Sequence, residues 1–257
     1  MMKKRKSPEN EEPKKDYLFL LAVFILIIIL LVSIYYSVSD IKTGYVEKTP
    51  SFVSMDGATL VTMKLPAVNQ EGVGVTTILS VEAMPGNGRV LLDIDDLLFW
   101  ADTEHSMRKA RIVAGNVSGI NVDDYDIIYN IDANASLIGG ESAGAALAIA
   151  TIAALQNNSL KEDVMITGTI NHDGTIGPIS GILEKAKASK QIGATLFLVP
   201  LLQSRDVLYQ TEEHCEKFGW TEICTTEQIP QKINVGDEAG INIEEVGTIE
   251  EALKYFF

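Results

Sequence analysis

The stretch MITGTINHDGTIGPISGILEKAKASKQIGATLFLVP, residues 165–200, sets two periodicities side by side. Val164–Ile170 and Thr175–Ile179 are rich in β-branched residues and flank the turn Asn171-His172-Asp173-Gly174, which predicts two strands. Leu183–Ile192 has helical spacing and stops at Gly193, and Thr195–Pro200 is again strand-like. Advancing about 100° per residue puts Ile182, Ala186, Ser189 and Ile192 on one side of that helix, with Lys185 between Ser189 and Ile192. Lys187 and Lys190 project toward the edge or away. Lys185 is therefore the lysine expected to be buried, either as a functional amine or as a snorkelling side chain whose stem covers apolar surface.

Upstream, Ala143–Leu155 (AGAALAIATIAAL) is almost entirely small and apolar and predicts a helix buried on most sides. Thr59–Leu65, Gly74–Glu82 and Gly88–Ile94 read as strands, the last two joined by Met-Pro-Gly-Asn as a hairpin turn. Leu97–Gly115 reads as a helix, Tyr125–Ala133 as a strand and Thr248–Phe257 as a closing helix, with a less regular segment after Pro200. Strands and helices alternate without strict βαβ repeats. The expected fold is a mixed-sheet α/β domain rather than a doubly wound parallel one.

Gly139-Gly140-Glu141-Ser142-Ala143-Gly144 places Ser142 at the mouth of the apolar helix. One reading is a helix cap, because a serine hydroxyl satisfies an orphan N–H there. The other is a nucleophile beside N–H groups and a helix dipole that favour a developing oxyanion; the same donors could hold a phosphate. A nucleophilic serine needs a base. His105, His172 and His214 all fall in polar or turn contexts, so a lysine with a burial-lowered pKa is the remaining type of base.

The whole chain has 257 residues, 46% hydrophobic, with a net charge of −14. That acidity speaks against nucleic acid as a partner. Two cysteines and three histidines are too few for a disulfide miniprotein, a zinc-finger array or a haem or iron-sulfur carrier, and no cofactor or metal is expected. Residues 1–16 carry six basic and four acidic side chains, a local charge of +2 that leaves −16 for the rest. Residues 17–37 are uncharged with LLAVFILIIILLV at their centre, enough for about 30 Å of hydrocarbon, and predict a transmembrane helix rather than a cleaved signal peptide. Six basic residues before the span put the N-terminus in the cytoplasm and the body outside a cell membrane. Residues 38–60 read as a linker and 61–257 as the catalytic body, with an irregular cysteine-containing segment at about 201–240. Cys215 and Cys224 are either a disulfide or two free thiols, and Asn116, Asn134 and Asn157 are glycosylation acceptors if the body is translocated.

GGESAG followed by the 165–200 stretch resembles the proteolytic domain of Lon proteases, and in particular an archaeal membrane-anchored branch. The likeness covers most of residues 75–200. It implies a serine endopeptidase with Ser142 as nucleophile and Lys185 as base, 43 residues apart, and Thr167 as the threonine that hydrogen-bonds the lysine. Glu141, Gly140 and Ala143 are implied as supporting residues of the serine turn. Glu141 is acidic as in the archaeal branch, whereas the acid of many members three residues before the serine is Gly139 here. The sequence has no G-x-x-x-x-G-K-[ST], so the expected activity is ATP-independent cleavage of flexible or unfolded polypeptides. The resemblance also implies self-association into a ring. The rival readings are a Lon-like body without turnover that serves as a membrane-tethered binding module, and a phosphate-binding small-molecule kinase of similar fold.

Overall fold

The computed structural model describes residues 23–30, 32, 57–93, 98–99, 101–132, 137–138 and 140–257. Phe52–Phe257 forms one compact unit, and Met1–Ser51 falls in another.

Four strands form the larger sheet: β1 (Thr59–Val68), β2 (Gly74–Pro85), β3 (Val90–Asp93) and β5 (Tyr125–Asp132), in the order β1-β2-β5-β3. β1 and β5 are antiparallel to β2, while β3 runs parallel to β5. The hairpin expected at Met-Pro-Gly-Asn is therefore replaced by an inserted strand. Asp126 of β5 causes this: its carboxylate accepts from the backbone N–H groups of Asn87 and Arg89, each at 2.9 Å, and pairs with the Arg89 guanidinium. The arginine holds the Asp126 carboxyl well below the usual carboxylate range.

Helix α1 (Ala101–Ser118) follows β4 (Leu98–Phe99), which pairs with β6 (Leu137–Ile138). Helix α2 (Gly144–Gln156) is buried from Gly144 to Leu155. Its alanines allow α1 and the large sheet to approach closely, while Leu147, Ile149 and Ile152 fill the core between them. Burying each of those three side chains contributes about 1.5–3 kcal/mol. A polar pair within this core is satisfied, Tyr129 Oη lying 2.7 Å from Thr151 Oγ1, whose other bond is donated to Leu147 O.

A second core lies under a three-stranded parallel sheet of β7 (Val164–Ile166), β10 (Leu196–Pro200) and β13 (Asn242–Val246), in the order β13-β10-β7. Between β7 and β10 run β8 (Thr169–Ile170), β9 (Ile176–Gly177) and helix α3 (Ile182–Gln191). α3 puts Ile182, Leu183 and Ala186 into the second core while also lying against β1 and β2. The two cores meet across β7 and β10, which turn Val164, Ile166 and Leu198 to the first and Met165, Phe197 and Val199 to the second. Helices α4 (Val235–Ala239) and α5 (Ile249–Phe256) complete the body.

The segment expected to be irregular is a long ribbon. β11 (Arg205–Phe218) and β12 (Thr221–Asn234) pair antiparallel over 14 residues each, with Cys215 opposite Cys224 and joined to it by a disulfide. Only Leu208 and Ile233, at its base, pack on the second core.

The expectation of a transmembrane helix over 17–37 is corrected. Among the described residues no helix is long and apolar enough to cross a membrane. Within that stretch the described residues are 23–30 and 32. The rest of it, with the tail 1–16 and residues 38–56 of the linker, lies outside the described residues. A membrane partner, and a catalytic domain outside a cell membrane with a cytoplasmic N-terminus, are corrected with it. Asn116 and Asn157 are exposed, and Asn134 lies outside the described residues.

Candidate active site

Ser142 lies in a one-turn 3-10 helix, Glu141–Ala143, that leads directly into α2. The position of N-cap to α2 is taken by Ala143, and neither helix has a side-chain cap. The Ser142 hydroxyl is thus not used to cap the helix. Gly140 precedes the turn at a φ of +105°, a conformation open to glycine and costly for other residues. At a helix start the first N–H groups, here those of Glu141 and Ser142, have no intrahelical acceptor.

The back of the turn is pinned to the link between β7 and β8. The Ser142 carbonyl accepts from Gly168 N at 2.9 Å and from the Thr167 hydroxyl at 3.1 Å, and Ala145 N donates to Gly168 O at 3.0 Å. Thr167 is buried, and its hydroxyl proton goes to the serine's own carbonyl. Glu141 faces Lys109 of α1 at 3.5 Å. Gly139 lies outside the described residues.

Lys185 belongs to the first turns of α3 and is 5% exposed, whereas Lys187 and Lys190 are exposed. Burial pushes its amine down to about 8 from an ordinary 10.5, with no ionised neighbour contributing. The helix start beneath it also disfavours a cation. Gly74 at the head of β2 fixes how close α3 comes: a Cβ there would lie 2.1 Å from the Glu184 carbonyl oxygen.

Ser142 and Lys185 line one groove of about 360 Å³, together with Ala67 and Val68 at the end of β1, Thr77 and Gly140. Its wall at Pro178–Gly181 is held from the far side by Gln203, whose amide donates to Ile179 O at 2.6 Å and accepts from Ile179 N at 2.9 Å. That clamp was not legible in the sequence, where a glutamine after Pro200 has no distinguishing neighbour. His105, His172 and His214 are all exposed and outside the groove. Glu213, Cys215 and Cys224 cluster on the ribbon, but both sulfurs are committed to the disulfide.

Residues 67–235 match the model of the Lon protease (S16) C-terminal proteolytic domain. The chain belongs to this family. It carries the proteolytic domain of that family, and the sequence holds no G-x-x-x-x-G-K-[ST] motif. It is 31% identical over 153 residues to the Lon protease of Phenylobacterium zucineum, covering 56% of this chain and 19% of that protein. It is 26% identical over 154 residues to the archaeal Lon protease of Thermococcus kodakarensis, covering 60% and 24%. With the Lon protease of Buchnera aphidicola it shares 32% over 132 residues, covering 51% and 14%. The chain thus spans about a fifth of the length of the Lon proteases it matches. Bacterial and archaeal Lon proteases match alike, which corrects the placement in an archaeal membrane-anchored branch. The kinase reading finds no relative among these matches.

Proposed function

We propose that Ser142 is the nucleophile and Lys185 the general base of a peptide-bond hydrolase. The observation that carries this is the shared groove: 43 residues apart in the chain, the serine at a helix start and a buried lysine at a pKa of about 8 face one cavity. Neutral Lys185 takes the Ser142 proton as Oγ bonds to the substrate carbonyl carbon. The N–H groups at the start of the turn receive the oxyanion. The C–N bond then breaks, with the Lys185 ammonium giving its proton to the leaving amine. Water next adds to the acyl-enzyme, losing a proton to Lys185, and the Ser142 Oγ–carbon bond breaks as the ammonium returns that proton to Oγ, releasing a carboxylic acid product and restoring neutral Lys185.

Thr167 positions this pair. Its hydroxyl, donating to the Ser142 carbonyl, retains lone pairs that can accept from Lys185. Glu141, Gly140 and Ala143 shape the turn. β1 is an edge strand whose last residues line the groove, so an extended polypeptide can add alongside it. Flexible or unfolded polypeptide segments are the substrates, since only an extended chain can pair along that edge.

A serine-directed acylating probe tests the assignment. Label is expected on Ser142, with Ser142→Ala and Lys185→Ala each lowering peptide cleavage by about 10³ or more. Near-normal cleavage by Lys185→Ala would sink the dyad, and a protein unreactive at Ser142 would be a Lon-like binding module instead.

A further inference from the structure

One face of the β11–β12 ribbon gathers side chains that can ligate a metal. Residues directly opposite each other in an antiparallel pair point to the same side, as do residues two apart on one strand. Cys215 faces Cys224, Glu213 faces Thr226 and Lys217 faces Glu222, so these six share a face. Among the described residues, Glu213, Cys215 and Cys224 form the one metal-ligand cluster, with a carboxylate oxygen and both sulfurs within 4.8 Å of one another. All three are exposed, so a cation reaches them without any opening of the fold. Glu222, two residues before Cys224, lies diagonal to Cys215 on the tip side, a separation of about 7–8 Å that a long side chain spans. Residues 205–234 carry three basic and six acidic side chains, a net charge of −3 that draws cations to the ribbon. In the structure the two sulfurs are bonded to each other.

We propose that this face, once its disulfide is reduced, binds a thiophilic divalent cation of the zinc type through the Cys215 and Cys224 thiolates and the Glu213 carboxylate, with Glu222 or water as fourth ligand. A dithiol reductant opens the link: its two thiols are oxidised to a disulfide, and the Cys215–Cys224 bond takes up the two electrons and two protons. Each protein thiol then loses its proton as the cation binds, so two protons leave per cation. Around a tetrahedral zinc, sulfurs at about 2.3 Å and an oxygen at about 2.1 Å stand about 3.6–3.8 Å apart. The two cysteine Cα atoms are 4.0 Å apart, which sets the freed thiols side by side, and side-chain rotation brings the three ligand atoms to that spacing. Two sulfurs with one or two oxygens suit zinc or cadmium and not magnesium or calcium, which take oxygen ligands. The cation then takes the place of the covalent link across the ribbon. The order of the outer ribbon is lost only when it is both reduced and metal-free. None of this depends on the role of Ser142.

The test is a cobalt(II) titration of the full chain in oxygen-free, chelator-treated buffer, before and after reduction with dithiothreitol and removal of the reagent. Reduced protein should take up one cobalt per chain with a thiolate-to-metal charge-transfer band that zinc displaces, and oxidised protein should show no band. Cys215→Ala with Cys224→Ala should abolish the band. Glu213→Gln should melt at the wild-type temperature when oxidised. When reduced, it should bind cobalt at least about tenfold more weakly, because even an outer-shell partner of a metal site contributes that much. Zinc should also return hydrogen-exchange protection to residues 211–228 of the reduced wild type and leave the double alanine variant unprotected. A protein with both thiols free and no charge-transfer band overturns the site. So does cobalt binding that Glu213→Gln leaves unchanged, or binding by the oxidised protein equal to that of the reduced one.

Discussion

Lys185 carries opposed demands. Burial lowers its pKa to about 8, which at pH 7 leaves about a tenth of the amine neutral and able to take a proton. Cleavage should therefore rise with pH through about 8 and level off above it, in kcat/KM measured with an uncharged peptide. A flat profile between pH 6 and 9 would show that another group is the base. The same shift has a cost in stability. Between pH 8 and 10.5 the unfolded chain binds more protons at this residue than the folded one, so stability rises with pH across that window. Below about 8 the whole cost is present, on the order of 3 kcal/mol. Lys185→Met, of similar length and without charge, should abolish cleavage and raise unfolding stability at pH 7 by about 1–3 kcal/mol. Denaturation at pH 7 and at pH 11 checks this, because the gain should vanish at the higher pH. A loss of stability at pH 7 would mean that the amine has a compensating partner.

At the scale of elements, the site depends on how closely α3 lies against β2. A Cβ on Gly74 would meet the Glu184 carbonyl at 2.1 Å and the Ala188 Cβ at 3.2 Å, and a helix backbone has no rotamer with which to yield. Gly74→Ala should therefore push α3 outward, costing about 1–3 kcal/mol and moving Lys185 from Ser142. The expected loss is about 10- to 100-fold in kcat with KM little changed, read from steady-state kinetics beside a melting curve. Unchanged kcat would show that α3 adjusts without disturbing the pair. The helices were legible because burial imposes a period: Lys185 was singled out by rotation about α3, and α2 by its unbroken apolar run. What failed was pairing between distant segments. Asp126, about 40 residues beyond the Met-Pro-Gly-Asn turn, draws β5 between β2 and β3, and no local pattern announces that. The ribbon was missed because residues 209–232 are exposed on both faces, so its strands lack the alternation that betrays a half-buried sheet.

For the whole molecule, two cores meet across β7 and β10, while the outer part of the ribbon stands outside both. From Tyr209 to Lys232 every residue of it is exposed, and it is rooted by Leu208, Ile233 and, just before β11, the Gln203 clamp. Glu212 lies directly across from Glu227, a like-charge pair that opposes the ladder. A lone two-stranded hairpin is marginal in water, so the order of the ribbon's outer half rests on the Cys215–Cys224 link. Closing so short a loop is worth about 2–3 kcal/mol, and that stabilisation is local, because between Tyr209 and Lys232 the strands bury nothing in either core. Reduction of the disulfide, or Cys215→Ala with Cys224→Ala, should strip hydrogen-exchange protection from residues 211–228 and leave the amides of α2 as protected as before. The melting temperature of the body should stay within about 2 °C of the oxidised protein. Cleavage of a short peptide should likewise persist, because the Gln203–Ile179 clamp lies before the ribbon begins. If reduction instead lowers the melting temperature by many degrees, or exposes α2 to exchange, the ribbon is part of the cooperative unit that forms the groove.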